Sequence, residues 1–212
     1  MTHISIFGSG RVSTGLATKF AGAGHAVTLG VRNVAEASAK WRGPPVSFKN
    51  HVDAARAAPV IFNATPGDTS LDRLGALRDE LDGKILIDVS NATLRGDDGM
   101  PGRLMYPNDS LAEHLQKALP HTFVVKTLNT MLFTVMTNPG ALSSPPTAFI
   151  SGDDADAKEI VKRLLGDLGW KPEWIEDLGG ILTARGTEAI ALLVPSIIRA
   201  RGLAPFAFGV AR

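Results

Sequence analysis

The hydrophobic positions of the chain fall into short, continuous apolar runs separated by segments of mixed polarity. Runs of this length without alternation are typical of strands that a parallel sheet buries on both faces. They predict strands at residues 3–7, 26–29, 45–48, 60–64, 84–89, 122–126, 147–151 and 172–175. Apolar positions at helical spacing predict helices at residues 11–23, 69–81, 111–118 and 154–168. The alternation indicates an α/β fold of Rossmann type, with a doubly wound and mostly parallel sheet.

The sequence changes in character in its last third. Beyond Pro139 it becomes rich in proline and serine, and residues 179–201 have a helical pattern with an expected kink at Pro195. We predict a dinucleotide-binding domain over residues 1–140. A smaller βαβ and helical part over residues 141–212 continues the same unit and includes a short C-terminal helical extension. The apolar tail at residues 203–208 either packs on its own core or is exchanged across a dimer, and we expect a homodimer.

The most informative motif is the glycine-rich loop between the first strand and the first helix. Its residues are Gly8, Ser9, Gly10, Arg11, Val12 and Ser13. Gly8 allows a tight turn, and Gly10 lets a pyrophosphate approach the free amides at the helix start. Ser13 replaces the third glycine of the usual fingerprint and is small enough for close packing. Such turns also occur without a ligand, but the position within a βαβ unit predicts a dinucleotide site.

The residues after the second strand indicate which nicotinamide cofactor fits. NAD sites usually place an acid there, whereas a 2′-phosphate calls for arginine. This chain has Val31, Arg32 and Asn33, with no acid until Glu36. Because a guanidinium can bind a phosphate in bidentate fashion, the sequence predicts NADP(H). The alternative is that Arg32 is only a solvated loop residue.

Composition argues against several other function classes. The 22 basic and 21 acidic residues leave a net charge of +1, and no long run of either sign suggests nucleic acid or a membrane surface. The absence of cysteine excludes disulfides and thiol chemistry, and the five histidines lack metal-ligand spacing, so we expect no metal site. The start lacks a secretory pattern, and the most apolar segment, residues 189–198, contains Pro195 and is too short for a membrane span. We therefore expect a cytoplasmic protein with a small-molecule partner.

Few polar side chains follow the remaining strands, where ligands of parallel sheets bind. Cofactor contacts are predicted at Ala64, Thr65 and Pro66, orienting roles in catalysis at Asn91 and Asn129, and substrate contacts at Asn129, Thr130 and Met131. None of these is a conventional general acid or base. Hydride transfer between two bound cofactors needs mainly alignment and exclusion of water, which such a set can provide. The plainer interpretation is that the asparagines cap turns and that Met131 lies in the core.

Taken together, the motifs resemble the NADPH-dependent F420 reductases, also called F420H2:NADP+ oxidoreductases. The resemblance runs nearly end to end. It is carried by residues 8–17, 24–25, 30–32, 65–66, 124–130, 151–155 and 197–199. Gly152-Asp153-Asp154 at a helix start is more particular to this family than the glycine loop.

The resemblance implies roles for individual positions. It implies that the pyrophosphate is contacted by Ser9, Gly10, Arg11 and Val12. Arg32 is implied to bind the 2′-phosphate, and Thr65 and Pro66 to lie near the nicotinamide ribose. The deazaflavin F420 is expected beside Asn129 and Thr130, under the C-terminal helix, and family members are typically dimers.

Three positions depart from the archaeal members of that family. Val31 replaces a serine, Glu36 a lysine and Asn129 a histidine. The first two weaken the expected 2′-phosphate site, and the third changes the deazaflavin pocket. The leading hypothesis is hydride transfer between NADP(H) and F420. The alternatives are a non-enzymatic NADP(H)-binding sensor or scaffold, and an NADPH reductase of a flavin or a small carbonyl compound.

Overall fold

The structure is a computed structural model that describes residues 1–211; Arg212, at the end of the predicted second part, lies outside the described residues. The strands are β1 His3–Phe7, β2 Ala26–Gly30, β3 Ser47–Lys49, β4 Val60–Asn63, β5 Ile85–Asp88, β6 Thr93–Arg95, β7 Pro101–Leu104, β8 Phe123–Thr127, β9 Ala148–Ser151 and β10 Ile175–Asp177. The helices are α1 Arg11–Gly22, α2 Val34–Lys40, α3 His51–Ala57, α4 Ser70–Gly75, α5 Arg78–Leu81, α6 Leu111–Ala118, α7 Phe133–Met136, α8 Ala155–Asp167, α9 Ala184–Ala189 and α10 Val194–Arg201.

Eight of the strands form one sheet in the order β10-β9-β8-β5-β4-β1-β2-β3. The six strands from β8 to β3 are parallel, which confirms the predicted Rossmann-type fold class. The last two strands continue this sheet as expected, but β9 pairs with β8 in antiparallel fashion. The segment between β8 and β9 contains the short α7 and a 3-10 turn, and the chain reverses direction over it.

The two faces of the sheet bury two separate cores. Strand residues alternate between them, so Ile6 and Phe62 belong to one core while Phe7 and Ile61 belong to the other. Residues of α1 and α8 complete the first core, and residues of α3, α4, α5, α6 and α9 complete the second. Burial on both faces explains why the strands carry continuous apolar runs.

Several secondary-structure predictions made from the sequence are wrong. The stretch after β5, for which the sequence analysis predicted neither a strand nor a helix before residue 111, contains the antiparallel β6–β7 hairpin, in which Gly99 has a φ of +74°. Asp98-Gly99 is a common hairpin turn signal that the sequence prediction did not use. The helix predicted over residues 69–81 is divided into α4 and α5, and α4 ends at Gly75, a poor helix former. Helices α2, α3 and α7 were not predicted.

The C-terminal helical segment lies within the predicted bounds of residues 179–201. Helical turns continue from Ile181 to Arg201, and Pro195 lies in the first turn of α10, where its missing N–H costs nothing. An 18-residue window of this segment has a mean hydropathy of 1.5, so the segment is long and apolar enough to cross a membrane by length and composition alone. The expectation of too short a segment, made for residues 189–198, therefore does not hold for the whole helical segment. The core helices of soluble proteins can have the same length and hydropathy, and one third of the residues in this window are buried here.

The apolar tail packs on its own chain in this structure. Ala207 forms an antiparallel bridge with Met131, and Leu132 N donates to Phe206 O over 2.9 Å. Phe208 N donates to Thr130 O over 3.0 Å. The tail thus crosses the segment that follows β8.

Candidate functional site

The glycine loop has the geometry of an anion cradle. Gly8 has a φ of +121°, and a Cβ atom there would lie 2.7 Å from Ala64 O, so only glycine fits. Gly10 precedes α1 in an extended conformation, and neither a side-chain cap nor an acidic residue occupies the first turn. No atom lies within 4 Å of the position where a Gly10 Cβ would stand. The first amides of α1 therefore face open space, where the helix dipole favours a negative group.

Ser13 performs the packing role predicted for it. Its side chain is fully buried, and its Oγ donates to Gly10 O over 3.0 Å. The close approach of α1 to the sheet thus tolerates a small hydroxyl where the usual fingerprint has glycine.

A cavity of about 610 Å³ lies beside the glycine loop, between α1 and α2. Its lining includes the predicted residues Ser9, Val31, Arg32 and Asn33. Val31 is largely buried in the core, whereas the side chain of Arg32 is exposed and makes no ion pair among residues 1–211. An unpaired arginine at the end of β2 is the arrangement expected for binding a 2′-phosphate.

Glu36, which the sequence suggested could repel that phosphate, is paired with a cation on its own helix. Its Oε1 accepts a hydrogen bond from Lys40 Nζ over 2.6 Å, and its Oε2 lies 3.3 Å from Asn33 Nδ2. The hydrogen bond and charge of Lys40 lower the pKa of Glu36. Asn33 Oδ1 also accepts from Glu36 N over 3.1 Å and so caps α2.

The loop after β4 is stabilised by a buried polar network. Asn63 Oδ1 accepts a hydrogen bond from Thr65 Oγ1 over 2.6 Å, and Asn63 Nδ2 donates to Asp88 Oδ1 over 2.8 Å. Ser70 Oγ contacts Thr65 Oγ1 at 3.1 Å and donates to Pro66 O over 2.9 Å. The network fixes the loop that contains the predicted cofactor residues Ala64, Thr65 and Pro66.

Three fully buried charges lie at the centre of this network and were missed by the sequence analysis. Lys126 Nζ lies 2.7 Å from Asp88 Oδ2 and 2.8 Å from Glu188 Oε1, and it also donates to Ser90 O. Burial opposes the charge on Lys126, but the two carboxylates outweigh it and hold the pKa of Lys126 above its ordinary value. The sequence signal was present: Asp88 and Lys126 have opposite charge and end two apolar strands.

Glu188 ties the C-terminal segment to this cluster. Its carboxylate accepts hydrogen bonds from Leu111 N over 3.0 Å and Ala112 N over 3.2 Å, at the start of α6. The positive end of that helix offsets part of the excess negative charge. A residue of α9 thus helps to hold the ends of β5 and β8 in place.

The predicted pair Asn91 and Asn129 is brought together across these two strand ends. Asn91 Nδ2 donates to Asn129 O over 2.8 Å, and Asn129 Nδ2 donates to Asn91 Oδ1 over 2.9 Å. Leu128, between Thr127 and Asn129, has a φ of +60°, which is rare for a leucine and typical of strained functional loops. Asn91 and Asn129 therefore hold each other in a fixed orientation.

Unsatisfied polar atoms concentrate at this point. Thr127 Oγ1, Asn129 Oδ1 and Thr130 Oγ1 are buried and have no hydrogen-bond partner within the described residues. Native proteins rarely leave buried polar atoms unpaired, so a cluster of three points to bound water or a ligand. Met131 and Thr130 are themselves buried beneath the C-terminal tail, so the substrate contact predicted at Met131 is covered in this structure.

Close contacts join the predicted regions into one edge of the sheet. The backbone of Gly8 packs closely against that of Ala64, and a Cβ atom at Gly67 would lie 2.3 Å from Asn91 O. The Arg11 guanidinium lies over the Phe133 ring, 4.7 Å from its centroid. The edge thus runs from the cavity lined by Arg32, past the glycine loop, to the two asparagines. Among residues 1–211 no group of acidic residues and histidines could hold a metal ion.

Comparisons with known proteins agree with this geometry. The family described as "NADP oxidoreductase coenzyme F420-dependent" matches residues 3–92. A solved structure of a putative F420-dependent NADP reductase from Arthrobacter sp. FB24 is 37% identical, with a TM-score of 0.89 and full coverage of both chains.

Two curated relatives extend the comparison. Metalloreductase STEAP3 of Rattus norvegicus is 31% identical over 91% of this chain and 37% of its own length. The F420-dependent NADP reductase of Methanocaldococcus jannaschii is 30% identical over 67% of this chain and 63% of its own length. The match thus spans about a third of the rat protein and somewhat less than two thirds of the archaeal one. The chain belongs to the F420_oxidored family of NADP-dependent oxidoreductases.

Proposed function

We propose that this protein transfers a hydride between NADP(H) and the deazaflavin coenzyme F420. The observation that carries the proposal is the continuous edge from the Arg32 cavity to the Asn91–Asn129 pair, which ends in unpaired polar atoms rather than in an acid–base group. The similarity to two proteins named as F420-dependent NADP reductases favours F420 as the partner.

Each part of the edge has a role that its chemistry allows. The first amides of α1 bind the pyrophosphate, and Arg32 binds the 2′-phosphate. The polar network around Asn63 and Asp88 holds Thr65 and Pro66 against the nicotinamide ribose. Asn129 offers its unpaired oxygen to the polar groups of the ring system. NADPH, when bound, supplies the hydride, and one proton from solvent completes the reduction of F420 to F420H2.

No side chain is required to transfer that proton. Asp88, Lys126 and Glu188 are the charged groups connected to the strand ends at Asn91 and Asn129. Lys126 is bonded to both carboxylates, and all three side chains are almost completely shielded from solvent. The protein's contribution is alignment of two rings and exclusion of water, which can account for a large share of the rate.

Mixing the purified protein with NADPH and oxidised F420 tests the proposal. We expect the absorbance of both compounds to fall together, and NADH to react at least about tenfold more slowly because it lacks the 2′-phosphate. Binding of NADPH without oxidation by F420 would overturn the choice of acceptor. The same assay with flavins, small carbonyl compounds and ferric chelates then separates the other reductases from a non-enzymatic sensor, which would show no turnover.

We also infer that the chain forms a homodimer through the exposed apolar side of Ile181–Arg201. Leu182 and Leu193 are 58% and 51% exposed there, and Leu192 borders an apolar groove that includes Leu104. Such leucines on one segment favour a protein interface. We expect Leu193→Glu to halve the mass measured by light scattering, whereas Val52→Glu, at an exposed apolar residue of α3, leaves it unchanged. A wild-type protein of monomer mass would contradict this inference.

A further inference from the structure

We propose that Lys40 and Arg42 complete the binding site for the 2′-phosphate and, with Arg32, determine the preference for NADP(H) over NAD(H). This inference rests on the proposed binding of NADP(H). It concerns two residues outside the predicted cofactor set, at the end of α2 and in the turn that follows.

The three cations share one cavity. Arg32, Lys40 and Arg42 all line the cavity of about 610 Å³, and Glu36 is the only acidic residue in that lining. The hydroxyl-bearing residues Ser9, Thr14 and Thr18 form the wall on the side of the glycine loop and α1. The lining thus has a net charge of +2, which matches a phosphate monoester carrying nearly two negative charges at neutral pH.

The charge of Arg42 is uncompensated but its position is fixed. Its Nη1 donates to Ala39 O and Trp41 O, both over 2.7 Å, so the guanidinium is held at the end of α2 by carbonyls rather than by an acid. Among residues 1–211 it makes no ion pair. A guanidinium held in this way loses little side-chain freedom when it binds an anion.

The turn that carries Arg42 is itself rigid. Trp41 Nε1 donates to Pro44 O over 2.7 Å, and the Trp41 indole packs edge to face with Phe48. A Cβ at Gly43 would lie 2.4 Å from the Trp41 ring, so the chain folds tightly over the indole. The cavity therefore has a preformed wall on this side.

Lys40 is the cation of this cavity that is paired with Glu36. It lies one turn after Glu36 on the same helix, and its Nζ reaches back to Glu36 Oε1 at 2.6 Å. Both side chains are mostly exposed, so this pair is weak and can exchange for a phosphate. Lys40 can therefore contribute its charge to a phosphate in the cavity that it lines together with Arg32.

Dissociation constants for NADPH and NADH, measured by isothermal titration calorimetry, test the inference. We expect Lys40→Gln and Arg42→Gln each to weaken NADPH binding about tenfold and to change NADH binding less than about twofold. We expect Glu36→Gln to strengthen NADPH binding, because it removes a negative charge from the cavity and releases Lys40. Lys49→Gln, which removes a nearby exposed cation outside this cavity, is the matched control and leaves both constants unchanged.

The outcomes distinguish this inference from the proposed function. If Arg32→Gln loses NADPH affinity while Lys40→Gln and Arg42→Gln bind as the wild type does, the inference is overturned and the cofactor assignment stands. If the wild type binds neither nucleotide, the proposed function fails and the inference with it. Thermal denaturation of each variant, together with Arg42→Lys, which keeps the charge, shows that a lost affinity does not come from a misfolded turn.

Discussion

Replacing Lys126 with methionine is expected to destabilise the protein by about 3–5 kcal/mol, a lowering of the melting temperature by roughly 10 °C. The substitution leaves Asp88 and Glu188 without a cation in a region where all three side chains are almost completely shielded from water. Methionine is similar in length and apolar, so the loss does not come from an empty volume. Denaturant unfolding followed by circular dichroism measures the change in the free energy of unfolding.

Lys162 provides a matched control for this measurement. It also contacts two carboxylates, Glu159 at 2.7 Å and Asp177 at 3.3 Å, but its side chain is 29% exposed. Water and salt screen such a pair, so we expect Lys162→Met to cost less than about 1 kcal/mol. Equal losses in the two variants would show that burial does not determine the strength of the Lys126 cluster.

Gly10→Ala is expected to weaken NADPH binding about 100-fold while leaving the melting temperature unchanged. In the structure the added methyl group meets no protein atom within 4 Å, and the backbone of Gly10 is one that alanine can adopt. The methyl group would instead fill the space that a pyrophosphate needs above the first turn of α1. Fluorescence titration with NADPH and a thermal melt of the same sample give both results.

Two other glycines provide comparison variants for this experiment. Gly22, at the end of α1, also faces open space, and Gly22→Ala should leave the affinity unchanged and stabilise the protein by up to about 1 kcal/mol. Gly8→Ala should lower both, because its φ of +121° and its 2.7 Å approach to Ala64 O disturb the fold itself. Wild-type affinity in Gly10→Ala would place the nucleotide away from the glycine loop.

The sequence was most informative where structure depends on neighbouring residues. Strand β1, the glycine turn and α1 follow one another within twenty residues, and apolar continuity, glycine conformation and helical spacing all act locally there. The same holds for Arg32 at the end of β2. The hairpin β6–β7 was also predictable from its Asp-Gly turn, and was missed because the segment lacks apolar runs.

The missed parts of the site depend on residues far apart in the chain. Asp88 and Lys126 are separated by 38 positions, and Glu188 bonds to a backbone amide 77 positions away. Each charge looks like an ordinary polar residue until the sheet order places β5 beside β8 and α9 against the start of α6. The crossing of the C-terminal tail over Met131 belongs to the same class of contact.

By itself, then, the sequence determined the Rossmann-type sheet, the glycine loop and the candidate 2′-phosphate arginine, because period, turn chemistry and capping are properties of short segments. Only the tertiary structure decided that the last two strands run in the opposite direction, that Lys126 joins two carboxylates, and that Lys40 and Arg42 share a cavity with Arg32. These arrangements follow from how the chain returns on itself, and a buried charge acquires its role only when folding removes water and brings its partners into contact.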